Sequence, residues 1–575
     1  MKKYKGIPAS GGIAVGEILV YRHEAAEEIP VSISPEEVSG QLAQYAAALE
    51  KAHSELLGLA DALRERSPAE AGIFTAQTEL LEDEEIAEEI RSAISAGRLS
   101  AAAAVQRVYA QYAAMMTELS DEYLSARGAD LLDVSQRLLG ALGYRKGVSL
   151  SELARPVILV AHELFPSDTA SMRRENVLAI VTEAGGETSH SAILARSFGI
   201  PAVLGVKDIA SLAADGQLCA VDGENGCLWL EPDAETLAIC KAQKHGFLRR
   251  RAMLAENAAG PAVLISGEKI DIGLNAGSAA PDAAMESCDF VGLFRTEFLY
   301  MNSADLPGEE AQYQVYRSLI RAAGGKMVTI RTLDIGGDKT LPYFALPKEE
   351  NPFLGVRALR LCLAHPEILQ PQLRAILRAA VEGPVQVMFP MVGSLEDLRA
   401  GQAALRAAAQ TLKAEGIPCR TDIPVGVMIE IPSAALIADQ LAAEADFASI
   451  GTNDLTQYLH AADRMNPETA PYYQTYSPAL FRLLSYVSEA FNAAGKPLSV
   501  CGELGGDPLA VPLLAGLGIK KLSMNPSQMA AAKYIIRHTT LGDAKALAGK
   551  ALHAATQEEI RALLQEAQSR IFPQS

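Results

Sequence analysis

Phe447-Ala448-Ser449-Ile450-Gly451-Thr452-Asn453-Asp454 is a short β-prone run that stops at a glycine and hands over to polar residues. A run of four to eight apolar residues closed by a turn signal is how a buried strand reads. The same pattern recurs on both sides of it. Gly426–Ile429 leads into Glu430-Ile431-Pro432-Ser433, and Leu498–Val500 leads into Cys501-Gly502-Glu503. Further back, Met327–Ile330 leads into Arg331-Thr332-Leu333-Asp334, and Phe290–Leu293 into Phe294-Arg295-Thr296-Glu297. Ile270–Leu274, Val385–Phe389 and Lys521–Met524 bring the number of such runs to eight. Helical periodicity fills the gaps, for example over Ala311–Ala323, Pro371–Val381 and Leu395–Glu415. Eight strands alternating with helices over some 300 residues predict a C-terminal (β/α)8 TIM barrel, spanning 261–575.

A barrel of this kind places its chemistry at the carboxyl ends of its strands. The charged residues fall there. Arg295, Arg331 and Arg464, together with Arg357 in the loop after strand three, supply guanidinium forks that match phosphate and carboxylate oxygens two at a time. Glu430 and Asp454 are carboxylates that can hold Mg²⁺, which takes oxygen ligands and leaves room for water and substrate phosphate. Together they describe a site for a small phosphorylated carboxylic acid with Mg²⁺. Cys501, just past strand seven, adds a thiol able to exchange a proton with a carbon centre.

The first part of the chain reads differently. Residues 1–20 are Gly-rich with short β-prone runs. From Ser34 to Leu142 the composition turns to Ala, Leu, Glu, Gln and Arg at helical spacing, which predicts a bundle of about four helices with breaks near Ser67-Pro68 and Gly97. Ser34-Pro35-Glu36-Glu37 is a helix start in pattern, with serine as cap and proline at the first position. Strand patterns return at Pro156–Ala161, Val177–Val181, Ala202–Leu204 and Leu218–Val221. The domains expected are therefore an α/β domain from 1–33 plus 143–232, a helical insert at 34–142, and a helical connector at 233–260 ahead of the barrel. In the α/β domain, Gly185-Gly186-Glu187-Thr188-Ser189-His190 follows a strand and opens a helix, so His190 sits in a first turn. The free N–H groups and positive end of a helix there favour an anion on the ring.

Charge and composition exclude several classes. The chain of 575 residues carries a formal net charge of −19, which disfavours nucleic acid and suits a basic protein partner. Seven cysteines, an odd number without a Cys-x-x-Cys pair, argue against a disulfide framework or zinc site. No run is long enough to cross a bilayer and the N-terminus lacks a secretory pattern, so membrane insertion is not expected and the location expected is cytoplasmic.

Gly185-Gly186-x-Thr188-Ser189-His190-x-x-Ile193-x-Ala195-Arg196 resembles the phosphohistidine signature of the phosphoenolpyruvate-utilising enzymes. Phe294–Met301, Asp334-Ile335-Gly336-Gly337-Asp338-Lys339, Asn351–Arg357 and Gly451–Leu455 resemble the barrel of its Enzyme I branch, from the bacterial sugar phosphotransferase system. The likeness runs over essentially the whole chain. It implies phosphoryl transfer from phosphoenolpyruvate to His190 and then to a histidine of an HPr-type carrier, with release of pyruvate, on a swivelling phosphohistidine domain. By the same resemblance Thr169 bonds to the imidazole, and Arg295, Arg331, Arg464, Asn453 and Asp454 hold the substrate. Glu430 and Asp454 bind Mg²⁺, and Cys501 protonates the enolate. The helical insert would dock the carrier, with the acidic Leu80–Ile86 segment matching the family there, and the barrel would form a homodimer. The connector at 233–260 would be the hinge. Nitrogen-type paralogues and the pyruvate-phosphorylating dikinases are the neighbouring alternatives; the latter need a nucleotide-binding domain for which the hundred-residue helical insert is no substitute. The chain departs from the family at Glu187, where arginine is common, which bears on the choice of partner.

Overall fold

The computed structural model describes residues 1–572 apart from 23–28, 64–67, 119–121, 145–149, 151–152, 154, 166–167, 169–171, 173, 187–188, 257, 278–282, 302, 304, 338, 340, 342, 345, 347–348 and 467. The chain divides into two compact units, Met1–Arg250 and Arg251–Ser575.

The first unit is built on an eight-stranded sheet. Its strands are β1 (Lys2–Lys5), β2 (Ile7–Ser10), β3 (Ile13–Tyr21), β4 (Val157–Ala161), β5 (Val177–Thr182), β6 (Ala202–Leu204), β7 (Leu218–Asp222) and β8 (Cys227–Leu230), in the order β1-β8-β7-β3-β4-β5-β6-β2. β3 through β6 run parallel, and the flanking pairs are antiparallel. Alternate residues of β4 face opposite sides. Leu159 and Ala161 join a cluster with Ala192, Leu194 and Ala195, while Ile158 and Val160 join one with Val203, Val221 and Leu228. The sheet is thus buried on both faces, which is why its parallel strands are continuously apolar.

Between β3 and β4 the chain leaves the sheet for a separate helical core. Helices α1 (Val38–Leu63), α2 (Pro68–Leu81), α3 (Glu84–Ser95), α4 (Ala101–Glu118) and α5 (Glu122–Ala141) close around Leu56, Phe74, Ile90, Val105, Tyr109 and Leu138. Among the described residues the bundle expected to have about four helices has five. The extra break lies at Glu82-Asp83, where the Asp83 carboxylate accepts from the N–H groups of Glu85 (2.9 Å) and Ile86 (3.1 Å) and starts a new helix. The start expected at Ser34-Pro35 is also displaced. The Glu37 carboxylate accepts from both Ser34 N and Ser34 Oγ at 2.8 Å, closing a turn, and the helix begins at Val38.

Helix α6 (His190–Phe198) follows β5, and α7 (Ala234–Glu256) leaves the sheet. The second unit opens with the short strand β9 (Ala262–Val263). The barrel strands are β10 (Lys269–Ala276), β11 (Phe290–Phe294), β12 (Val328–Arg331), β13 (Val385–Phe389), β14 (Val425–Ile429), β15 (Phe447–Ile450), β16 (Leu498–Val500) and β17 (Lys521–Met524). Each pairs in parallel with the next, and β10 pairs with both β11 and β17, which closes the cylinder. All eight strands expected from the sequence are present, because each is an apolar run bracketed by chain-breaking residues. Between β15 and β16 the register sets Ser449 opposite Ser499. The barrel's wall and its ring of helices share one core, with Ile272 and Val291 from the strands and Leu373 and Phe491 from the helices.

Candidate active site

Arg331 is the last residue of β12 and is buried. A buried guanidinium must be paired, and two carboxylates do this. Glu297, at the start of the helix after β11, accepts from Nη2, and the Asp334 carboxylate lies 3.1 Å from Nη1. Asp334 also takes Arg357, at 2.9 Å through Nη2 and 3.3 Å through Nε. Arg357 is only 1% exposed and hydrogen-bonds the Tyr458 hydroxyl at 3.3 Å. Lys339 stands 3.8 Å from Glu297 and 3.9 Å from Asp334. Burial alone would raise the Asp334 carboxyl, but Arg331, Arg357 and Lys339 outweigh it and hold the group well below the usual carboxylate range. Asp334 is therefore a fixed negative hinge pin between two arginines.

The opposite side of the mouth is carboxylate-rich. Glu430, just past β14, accepts from the Met391 N–H at 2.6 Å. Asp454, in the first turn after β15, lies 3.2 Å from Arg464 Nη1 and 3.8 Å from Arg357 Nη2. Burial, and then the charges of Asp454 and Asp334, push the Glu430 carboxyl far above its ordinary value. Gly451 is required here, since a Cβ on it would lie 2.8 Å from Glu430 Oε2. Asn453 accepts from the Glu503 N–H at 3.0 Å. Cys501 follows β16, is 2% exposed, and its thiol is pushed up to about 11 by burial while Arg331 and Arg295 pull it down. Arg295 is exposed at the end of β11.

Glu430, Asp454, Asp334, Arg331 and Cys501 thus form one electrostatic cluster, reached by Arg295, Arg357 and Arg464 from three loops. Arg331 Nε, Glu297 Oε2, Thr452 Oγ1 and Asp454 Oδ1 are buried without a hydrogen bond. The ion pair to Arg464 reaches Asp454 Oδ1 without hydrogen-bond geometry. Orphaned atoms and a destabilised carboxylate beside a second one fit a divalent cation and a polyanionic substrate. Among the described residues no three His, Cys, Asp or Glu side chains converge on one metal position, so two carboxylates would share the ion with substrate and water.

His190 is the first residue of α6. Ser189 caps that helix, its Oγ accepting from Ala192 N at 3.4 Å. Gly185 has a positive φ of 97°, and a Cβ there would crowd Ser189 Oγ at 3.0 Å. The local sequence therefore builds a turn that presents a helix N-terminus after β5. Thr169 and Glu187 lie outside the described residues. Asp168 beside Thr169 is buried, and accepts from the Tyr21 hydroxyl at 2.6 Å and from Phe165 N at 2.9 Å. The sequence placed Arg357 on the rim as an anion-binding guanidinium but assigned no role to Glu297, Asp334 or Tyr458. The spacing of Arg331 and Asp334 by three residues was the one available signal.

Three family models match the chain. They are described as PEP-utilising enzyme, N-terminal (residues 5–127), PEP-utilising enzyme, mobile domain (153–226), and PEP-utilising enzyme, PEP-binding domain (251–541). The chain is similar to the phosphoenolpyruvate-protein phosphotransferase of Staphylococcus carnosus (strain TM300), with 40% identity over 98% of this chain and 99% of the relative. The enzyme of the same name from Bacillus subtilis (strain 168) is 40% identical over 98% of this chain and 100% of its own length. A solution structure of an Enzyme I protein, nEIt, is 39% identical and covers 42% of this chain and 99% of its own, with a TM-score of 0.36. With two full-length relatives at this identity, the chain belongs to the phosphoenolpyruvate-protein phosphotransferase family of PEP-utilising enzymes.

Proposed function

We propose that this enzyme moves the phosphoryl group of phosphoenolpyruvate to His190 and then to a histidine of an HPr-type carrier protein, the first step of phosphotransferase-system sugar uptake. The observation that carries this reading is the barrel-mouth cluster, where arginines on three loops face two carboxylates and a buried thiol. Arg295, Arg331, Arg464 and Asn453 hold the phosphate and carboxylate of the substrate, with Asp454 at the same edge. Glu297 and Asp334 keep Arg331 pointed inward, so its charge is in place before the reaction and needs no reorganisation. Glu430 and Asp454 would hold Mg²⁺, which supplies neutralising charge for the transferring group.

The bond between the enol oxygen and phosphorus breaks as one forms to a ring nitrogen of His190. A loose transition state of this kind is served by positioning and charge rather than covalent help from the protein. The enolate takes a proton at its terminal carbon from the Cys501 thiol and becomes pyruvate. Thr169 orients the imidazole. The helix N-terminus at His190 favours the phosphate once it is there. We assign 1–33 with 143–232 to the phosphohistidine domain, 34–142 to carrier docking, 233–260 to the linker and 261–575 to substrate binding and homodimerisation.

The test is transfer of label from phosphoenolpyruvate with Mg²⁺ through the enzyme to a basic histidine carrier, run also with Glu187→Arg. Label reaching the carrier, at a rate changed by Glu187→Arg, is expected. Pyruvate release without label on any carrier would contradict the second transfer.

A further inference from the structure

Tyr458 stands where three segments of the barrel mouth meet. It is half-buried on the helix that follows β15 (Thr452–His460), about one turn beyond Asp454. Its hydroxyl donates to Phe353 O at 2.5 Å and accepts from Arg357 Nη1 at 3.3 Å, both in the loop after β12. Met391 Sδ, in the loop after β13, lies 3.9 Å from the same oxygen. One hydroxyl thus touches a neighbour of each carboxylate assigned to Mg²⁺. Met391 gives its N–H to Glu430 at 2.6 Å, and Arg357 Nη2 is 3.8 Å from Asp454 Oδ2.

The backbone is strained at both places. Met391 has a φ of 54°, and Ala358, directly after Arg357, has one of 53°. Outliers of this kind cost about 1–3 kcal/mol each and gather where a site must be preset. A phenylalanine would fill the space of the Tyr458 ring, so the hydroxyl needs its own reason.

Arg357 supplies that reason. Its Nε and Nη2 engage Asp334, while Nη1 is turned to Tyr458. The guanidinium therefore stops 3.8 Å from Asp454, too far for a hydrogen bond. Asp454 Oδ1 is buried without a hydrogen bond as well. Take the Tyr458 hydroxyl away and Nη1 loses its acceptor. The next carboxylate within reach is Asp454. A guanidinium closing on that carboxylate would occupy the oxygen lone pairs that a hard cation needs.

We propose that Tyr458 is a positioning residue for the metal site. Its hydroxyl holds Arg357 against Asp334 and off Asp454, and it backs the Met391 turn that fixes Glu430. Both carboxylates are thereby set to receive Mg²⁺. This rests on the reading of Glu430 and Asp454 as the metal ligands. Tyr458 itself exchanges no proton and acts only through where Arg357 and Met391 stand.

The test is Mn²⁺ binding to the full chain without phosphoenolpyruvate, followed by loss of the free-ion electron paramagnetic resonance signal. Mn²⁺ takes the same oxygen ligands as Mg²⁺. Tyr458→Phe is expected to weaken binding roughly tenfold, the low end of what removing the partner of a metal ligand does. Labelling of His190 by phosphoenolpyruvate is expected to slow at limiting Mg²⁺ and to recover when Mg²⁺ is raised in proportion. A retained thermal midpoint in the metal-free protein shows that the variant folds. Unaltered Mn²⁺ affinity in Tyr458→Phe, with the affinity lost in Glu430→Gln, would overturn the role of Tyr458 and leave the ligands standing. Slow labelling that no Mg²⁺ concentration restores would mark a structural defect and overturn it equally. Mn²⁺ binding undiminished in Glu430→Gln would overturn the ligand assignment and the role of Tyr458 with it.

Discussion

Glu430 and Asp334 are carboxyls in the same cluster with opposite fates. Asp334 has two arginines and a lysine against it, and its carboxyl is held low. Glu430 has one backbone N–H and two neighbouring carboxylates, and is pushed up to about 8 from an ordinary 4.5. The consequences for stability are distinct. In the metal-free protein Glu430 keeps its proton between pH 4.5 and about 8, where the unfolded chain has lost it. Stability from this group is therefore full below 4.5 and falls as pH rises towards about 8. Asp334 contributes above its ordinary 3.8 and loses that contribution only as pH falls below it. The windows do not overlap. Thermal midpoints of the metal-free protein should fall between pH 5 and 8, and Mg²⁺ should restore them most at the upper end. Glu430→Gln should flatten the profile by a few kcal/mol and remove the Mg²⁺ effect. Parallel profiles for both proteins would contradict the assignment of Glu430 as a metal ligand.

At the scale of elements, the barrel was legible because its eight strands are Val- and Ile-rich runs cut off by Gly, Pro or charged residues. The same rule found β4 to β7. It missed β8, since Cys227-Leu228-Trp229-Leu230 follows β7 after a turn at Gly223–Gly226 and carries no alternation. It missed the fifth helix because Leu80–Ile86 reads as continuous amphipathic helix, and only the orientation of the Asp83 side chain breaks it. The rim residues were legible by position alone. Which carboxylate holds which arginine was not, because Glu297, Arg331, Asp334 and Arg357 come from three separate loops. One contact joins distant elements and was invisible in sequence. Lys533, on the helix Pro526–Arg537, is 2% exposed and donates to Ala258 O at 2.9 Å and Ser287 O at 2.6 Å. It fastens the chain's entry into the barrel to the helix that follows β17. Lys533→Met removes the donor from two half-buried carbonyls and should cost on the order of 1–3 kcal/mol in the denaturant midpoint of the barrel unit. A loss below about 0.5 kcal/mol would show that the two carbonyls find water instead.

For the molecule as a whole, the histidine turn lies in the first unit and the charged barrel-mouth cluster in the second. Neither alone defines the activity. A helix N-terminus bearing one histidine is common, and an arginine-rich barrel mouth could serve many anions. The proposed reaction carries phosphorus from the barrel mouth to His190. The direct measurement is incubation of the full chain with radiolabelled phosphoenolpyruvate and Mg²⁺, followed by digestion and location of the acid-labile label. The expected result is one labelled peptide containing His190, with the label abolished in His190→Ala and strongly reduced in Arg331→Lys. Label that persists in His190→Ala, or that maps to another residue, would contradict the account.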